Sequence, residues 1–171
     1  MTDLQFPFPY REGQREIVSG VYHTVSSKKT LFVQAPTGVG KTMSAIFPSV
    51  RAIGEGKGET LFYLTAKTIT GTVAWEAFHT LRENGLKFKV TAITAKEKLC
   101  FLDSPECTPE KCPYAKGHFD RVNDAVYELW TTEEVYSREV IRAHAEKWQV
   151  CPFEMCLDLS VWVDGVICDY N

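Results

Sequence analysis

The stretch 30–42, TLFVQAPTGVGKT, decides the fold more than any other part of the sequence. A short apolar run leads into a glycine-containing loop, which opens an amphipathic segment. The loop fits the pattern Gly-x-x-x-x-Gly-Lys-Ser/Thr except that Ala35 stands in place of the first glycine. Such loops direct backbone N–H groups at phosphate oxygens, while the lysine reaches the β- and γ-phosphates and the hydroxyl binds Mg²⁺. We therefore predict that ATP and Mg²⁺ are bound by Ala35, Pro36, Thr37, Gly38, Val39, Gly40, Lys41 and Thr42.

Strand-like and helical segments alternate around this loop. Short runs rich in β-branched and aromatic residues predict strands at Thr30–Ala35, Thr60–Ala66, Phe88–Thr94 and Val161–Cys168. Apolar residues at helical spacing predict helices at Arg11–Val25, Gly40–Ile53 and Thr72–Asn84. This alternation predicts an α/β fold with a parallel sheet whose strands are joined by right-handed crossovers.

The alternation stops between Cys100 and Met155, where the sequence contains no convincing strand. A cysteine-rich loop comes first, and two amphipathic segments then predict helices at about 119–130 and 133–148. We predict that this region is an insertion between the third and fourth strands. Long excursions from a compact domain are usually functional.

Composition excludes several classes of protein. The 171 residues carry a formal net charge of −3, which excludes a strongly basic nucleic-acid coat but leaves room for a local basic groove. The sequence has neither an apolar run of about eighteen residues nor a secretory signal, so we expect a cytoplasmic protein without a membrane partner. In a reducing compartment, clustered cysteines more often bind metal or carry out redox chemistry than form disulfides.

Four cysteines are candidate metal ligands: Cys100, Cys107, Cys112 and Cys151. Their spacing does not select the metal, because only the Cys107–Cys112 pair has the close spacing of zinc sites and the ferredoxin spacings do not fit. Cys156 competes with Cys151 for the fourth position. A zinc site of three cysteines and His118 also remains an alternative.

Two other segments hold candidate contact residues. The amide of Gln14 can pair with an adenine edge through one donor and one acceptor, although an exposed glutamine at a helix start is the alternative. Thr65, Lys67 and Thr68 follow the second predicted strand at its carboxyl end, where open α/β sheets bind ligands. These three residues are suited to a nucleic-acid phosphate backbone, or to a polar turn with a threonine N-cap.

Together, these segments resemble the iron–sulfur superfamily 2 DNA helicases of the XPD/DinG group. The resemblance rests on YREGQ, APTGVGKT, LTAKT, the C-x6-C-x4-C run, CPFE and VICDYN, and it extends from about Phe6 to Asn171. It implies an incomplete RecA-like P-loop NTPase domain that carries a mostly helical iron–sulfur insertion. The implied boundaries are motor residues 1–98, an insertion at 99–155 and a return strand at 156–171.

The resemblance also implies an activity, namely an ATP-dependent 5′-to-3′ DNA helicase of the repair or replication type that acts on single-stranded or forked DNA. It assigns Cys100, Cys107, Cys112 and Cys151 to a 4Fe–4S cluster. It further assigns Gln14 to adenine, and Thr65, Lys67 and Thr68 to single-stranded DNA.

The sequence departs from that family in one respect that bears on catalysis. It contains no Asp-Glu-Ala-His box, whose acids hold Mg²⁺ and orient the attacking water, and it lacks the arch and second RecA-like domains. We expect an N-terminal helicase portion that is inactive without the remainder of the enzyme. The alternatives are a zinc-stapled P-loop nucleotide-binding regulator and a structural DNA-binding module with a vestigial P-loop.

Overall fold

The computed structural model of the chain describes residues 4–66, 68–104 and 106–170, with the side chains of residues 68–70 left out. The described residues form an α/β protein with a small parallel sheet, an arrangement compatible with part of a RecA-like domain. Its helices are α1 Gln14–Ser26, α2 Lys41–Gly54, α3 Thr68–Glu83, α4 Lys96–Leu99, α5 His118–Thr132, α6 Arg138–Trp148 and α7 Pro152–Ser160. Its strands are β1 Leu61–Thr65, β2 Val90–Ala92 and β3 Gly165–Asp169. The chain divides into two compact units, residues 1–88 with 169–171 and residues 89–168.

In the first unit, α2 is the most deeply buried helix. It packs against α1 on one side and α3 on the other, because apolar residues occupy most of its surface. Tyr22 of α1 hydrogen-bonds to Glu55 just after α2, and Lys57 contacts both side chains. The hydrogen bonds from Tyr22 and Lys57 lower the pKa of Glu55 to about 2. These contacts hold the end of α2 against α1.

The predicted strand at Thr30–Ala35 is wrong. The segment has no strand pairing with any described residue, and the Phe32 side chain is 93% exposed. An apolar run forms a strand only where a neighbour accepts and donates its backbone hydrogen bonds, and none does so here. The other three predicted strands are present in shortened form as β1, β2 and β3.

In the second unit, β2 and β3 are parallel, with Val90 opposite Gly165 and Ala92 opposite Ile167. β3 begins later than predicted because Asp164 lies in a turn and its carboxylate accepts a hydrogen bond from the Lys89 N–H at 2.7 Å. Helices α5, α6 and α7 surround a core of fully buried side chains, among them Leu99, Leu129, Tyr136, Ile141, Met155 and Leu159. Of the helices in the described ranges, none is long and apolar enough to cross a membrane.

Three helices of the second unit differ from the prediction, and one of them, the four-residue α4, has no counterpart among the predicted helices. α6 begins at Arg138 and not at 133, because the Ser137 hydroxyl caps it by accepting the Val140 N–H at 3.3 Å. The nine-residue helix α7 has no counterpart among the predicted helices. It begins directly after Cys151, with Pro152 in the first turn, where proline's missing N–H does no harm.

Candidate functional site

Residues 35–42, called the phosphate loop below, lead into α2. They line a cavity of about 460 Å³ in the first unit. Gly40 is the N-cap of α2, and no side chain in the described part of the chain caps the helix, so its first N–H groups lack a side-chain acceptor there. Such a helix start attracts anions. The Lys41 ammonium group donates to the carbonyls of Ala35 at 3.0 Å and Pro36 at 2.7 Å. The lysine therefore folds over its own loop.

Two glycines give the loop its shape. Gly38 and Gly40 have φ angles of 86° and 83°, a left-handed conformation in which a side chain is strained. At Gly40 space is also limiting, because an added Cβ would lie 2.5 Å from the amide nitrogen of Gln14. Gly38 has no atom within 4 Å of its Cβ position. The requirement for glycine is therefore stronger at position 40.

Gln14 and Arg11 support the loop from the segment before α1. Gln14 is buried, with 4% of its surface exposed, so it is not an exposed residue at a helix start. Its side-chain oxygen accepts the Arg11 N–H at 3.0 Å, and the Arg11 guanidinium donates to the Gly38 carbonyl. Arg11 was not among the predicted site residues. In the sequence, Arg11 could have been identified as a site residue from its position three residues before Gln14.

The residues predicted to contact DNA follow β1. Thr65 is buried, and its hydroxyl donates to the Asp169 carboxylate at 2.6 Å. Lys67 lies outside the described residues, as does the side chain of Thr68, whose backbone begins α3. The contact of these three residues with DNA stays a prediction.

The four predicted cysteine ligands line one cavity of about 320 Å³ in the second unit. Cys112 is buried, Cys100 and Cys151 are half-buried, and Cys107 is exposed. Other side chains that line the cavity include Lys96, Phe101, Tyr114, His118 and Glu154. Within residues 4–66, 68–104 and 106–170, no group of three or more His, Cys, Asp or Glu side chains is arranged to hold a single metal ion. The thiols surround the cavity without meeting at one point.

Arg142 of α6 positions the first cysteine. Its guanidinium donates to the carbonyls of Leu99 and Cys100, the latter at 3.0 Å. The same group lies 4.6 Å from the centre of the Phe101 ring, within the range of a cation–π interaction. The start of the cysteine loop is thereby held against α6.

Arg121 of α5 positions the last cysteine. It donates to the carbonyls of Trp148 at 3.0 Å and Gln149 at 2.6 Å, which end α6 just before Cys151. It also donates to the Lys116 carbonyl at 2.8 Å, at the end of the cysteine loop. One guanidinium group thus donates hydrogen bonds to backbone carbonyls of both segments that supply the cysteines.

Cys151 and Cys156 lie in different surroundings. Cys151 is the N-cap of α7, and burial raises the pKa of its thiol, while the N–H groups of Glu154 and Phe153 partly oppose the rise. Cys156 does not line the cavity, is 1% exposed and donates to the Ala92 carbonyl at 3.7 Å. Burial raises the pKa of the Cys156 thiol as well. Cys156 is a core residue of the second unit.

His118 and Lys96 add polar groups to the cavity wall. His118 is 4% exposed, its Nδ1 accepts the Cys151 N–H at 3.2 Å, and burial lowers its pKa. Its Nε2 is buried and has no hydrogen-bond partner in the described part of the chain. A hydrogen bond with the Cys107 side chain raises the pKa of Lys96, so a cation lies beside the cysteines. His118 is predicted from the sequence only as an alternative metal ligand, and Lys96 is not among the predicted site residues.

Comparison with known proteins gives one partial similarity. No family model matches the chain. A segment of 47 residues, 27% of the chain, is 40% identical to a protein of Methanocaldococcus jannaschii named "Probable ATP-dependent helicase". The matched segment spans about 7% of that relative's length. The similarity supports a relationship to helicases and does not select a group among them.

Proposed function

We propose that the chain is the ATP-binding and iron–sulfur portion of an ATP-dependent DNA helicase that moves 5′ to 3′ along DNA. The observation that carries the proposal is the cavity of about 320 Å³ lined by Cys100, Cys107, Cys112 and Cys151. Two further facts support it, namely the phosphate loop at the start of α2 and the partial similarity to a helicase-named protein. In this proposal residues 1–98 belong to the motor, 99–155 to the insertion and 156–171 to the return strand.

The arrangement of the thiols favours a 4Fe–4S cluster over zinc. A zinc ion draws four sulfur atoms to about 2.3 Å from one point. A four-iron cluster is held by four separate thiolates around a larger body. The four cysteines line a cavity of about 320 Å³, and no described group converges on a single ion. When bound, the cluster supplies iron–thiolate bonds that tie the cysteine loop to the start of α7.

The fourth ligand in this proposal is Cys151. Its thiol is at the cavity wall, whereas Cys156 is buried beside Ala92 and away from the cavity. The Lys96 ammonium group offsets part of the negative charge that four thiolates bring to the site. Cys151 would have to lose its thiol proton to bind metal, and its raised pKa makes that loss less favourable.

ATP binding is assigned to the first unit. The N–H groups at the start of α2 and the Lys41 ammonium group bind the β- and γ-phosphates, and Thr42 holds Mg²⁺. Gln14 is assigned to adenine, and this contact would require its buried side chain to give up the hydrogen bond with the Arg11 N–H. Thr65, Lys67 and Thr68 contact single-stranded DNA, including that of a fork.

We further propose that the chain on its own binds ATP without appreciable turnover. Phosphoryl transfer needs acids that hold Mg²⁺ and orient water, and the sequence contains no Asp-Glu-Ala-His box. Fluorescent-nucleotide binding and phosphate release, measured with and without single-stranded DNA, test this statement. DNA-stimulated hydrolysis that disappears in Lys41→Ala would contradict it.

Metal and sulfide analysis tests the iron–sulfur assignment. Protein purified without oxygen should be brown and contain about four irons and four sulfides per chain, since four cysteines hold one 4Fe–4S cluster. Cys151→Ser should lose the colour, and the matched variant Cys156→Ala should keep it. Zinc without iron would overturn the assignment and favour a zinc-stapled regulator. Loss of iron in Cys156→Ala and not in Cys151→Ser would overturn the choice of fourth ligand.

A further inference from the structure

The hydrogen bonding of His118 determines which ring nitrogen carries the proton. Nδ1 accepts the Cys151 N–H at 3.2 Å, so Nδ1 itself holds no proton. A neutral imidazole then carries its proton on Nε2, and this nitrogen is a donor. Nε2 is buried and has no acceptor in the described ranges, although the ring lines the cysteine cavity. A buried donor without an acceptor is destabilising, so a bound group that supplies an acceptor to Nε2 would stabilise this arrangement.

This tautomer also disfavours His118 as a metal ligand. Ligation through Nε2 needs the lone pair on that nitrogen, and the proton now on Nε2 would have to leave a ring whose Nδ1 is already unprotonated. Histidines that bind metal ordinarily donate their other N–H to a carbonyl or carboxylate. At His118 the other nitrogen accepts a hydrogen bond. The arrangement is that of a donor beside the bound group.

The side-chain acceptors at the cavity wall are the sulfur atoms, the Glu154 carboxylate and the Tyr114 hydroxyl. Four cysteines line the cavity together with His118, and Glu154 is the carboxylate, which is exposed to solvent. Asp158 and Glu154 interact with His118 through charge, and neither hydrogen-bonds to its Nε2. The four cysteine sulfur atoms are the most numerous side-chain acceptors around the cavity.

We propose that the Nε2–H of His118 donates a hydrogen bond to a sulfur atom of the cluster and raises its reduction potential. This inference rests on the proposed function, because it requires the iron–sulfur cluster. A hydrogen bond to sulfur stabilises the reduced cluster more than the oxidised one, since the reduced cluster is more negative. Through Nδ1 the same ring also holds the backbone of Cys151, so one side chain orients a ligand and tunes the cluster.

Two variants separate these roles. In His118→Asn the side-chain oxygen can replace Nδ1 as acceptor for the Cys151 N–H, but the donor at the Nε2 position is lost. In His118→Gln the longer side chain places an amide nitrogen near the Nε2 position and restores the donor. His144→Asn is the matched control, because His144 is a half-buried histidine of the same unit that faces the Ala125 carbonyl at 3.1 Å.

The measurement is a reductive titration of each protein without oxygen. Dithionite supplies one electron per cluster, no bond breaks, and the cluster spectrum reports the oxidised fraction. We expect His118→Asn to lower the reduction equilibrium constant about tenfold, a shift of 59 mV for one electron. Iron and sulfide content should be unchanged, His118→Gln should recover most of the shift, and His144→Asn should match the wild type.

The outcomes distinguish this inference from the proposed function. A wild-type protein without iron overturns both. A wild-type protein with its cluster, whose potential is unchanged in His118→Asn, overturns the hydrogen bond alone. If His118→Asn loses its cluster, pulsed EPR of the reduced wild type with nitrogen-15-labelled histidine decides the question. A nitrogen coupling to the cluster spin that is kept in His144→Asn supports the bond, and no coupling overturns it.

Discussion

The phosphate loop and the cysteine cavity are built in opposite ways. The loop is contiguous, from Ala35 to Thr42, and takes its shape from two left-handed glycines and the start of a helix. The cavity is assembled from a loop and a distant cysteine, whose backbones are held by two arginines. A local motif specifies the first site. The second depends on how α5, α6 and α7 pack.

This difference predicts how each site responds to loss of its ligand. The loop keeps its conformation without nucleotide, because its hydrogen bonds to Lys41 and Arg11 are internal. Residues 103, 104 and 106–111 of the cysteine loop, by contrast, are exposed and contribute little to the core. In the proposed function, metal binding would therefore contribute a larger share of the order of the second site.

The largest expected effect is that of removing the metal. Chelation of iron under oxidising conditions should lower hydrogen-exchange protection in residues 100–117 at least about tenfold, because bonds to metal replace a core there. Protection of α2 and the affinity for nucleotide should stay the same. Unchanged protection of residues 100–117 in the iron-free protein would show that packing alone orders the loop.

The second effect concerns the phosphate loop and leaves the metal untouched. Lys41→Ala should weaken ATP binding about 10- to 100-fold, because hydrogen bonds from charged groups contribute about 1.5–3 kcal/mol. Lys29→Ala, a change of an exposed lysine in the same unit, is the control. Nucleotide titration measures both. Equal affinities for the two variants would mean that Lys41 does not reach phosphate.

The third effect tests the arginines that assemble the cavity. Arg142→Ala should lower the free energy of unfolding of the second unit by about 1.5–3 kcal/mol, because the carbonyls of Leu99 and Cys100 lose a charged donor. Arg138→Ala, an exposed arginine on the same helix, should change it by less than about 0.5 kcal/mol. Urea unfolding of both variants with intact clusters gives the comparison. Equal free energies of unfolding for the two variants would show that Arg142 does not help to hold the site together.

The same contrast explains what could be predicted from the sequence. Helices α1, α2, α3 and α5 were predicted within a few residues, because amphipathic spacing is a local signal. The strand at Thr30–Ala35 was wrong because strand formation needs a partner, and β-branched composition does not reveal whether one exists. α7 was missed because nine residues give too short a pattern.

The candidate sites show the same contrast between local patterns and contacts made by residues far apart in the chain. The loop residues follow from one motif, and the set of cysteines followed from their clustering. The positioning groups Arg121 and Arg142, and the burial of His118, depend on contacts between residues far apart in the chain. No local pattern encodes such contacts, so they became visible only once the helices were placed.

The smallest expected effect tests whether the conformation of the phosphate loop depends on residues outside the loop. Gly38→Ala should lower the free energy of unfolding of the first unit by about 1–2 kcal/mol, the cost of a side chain in the left-handed region. Gly40→Ala should be worse by a further ~1 kcal/mol, because its Cβ meets the buried amide of Gln14. A double-mutant cycle with Gln14→Ala isolates that difference. Full additivity would make the loop independent of the segment before α1, whereas coupling only at Gly40 would show that even this contiguous site needs one distant contact.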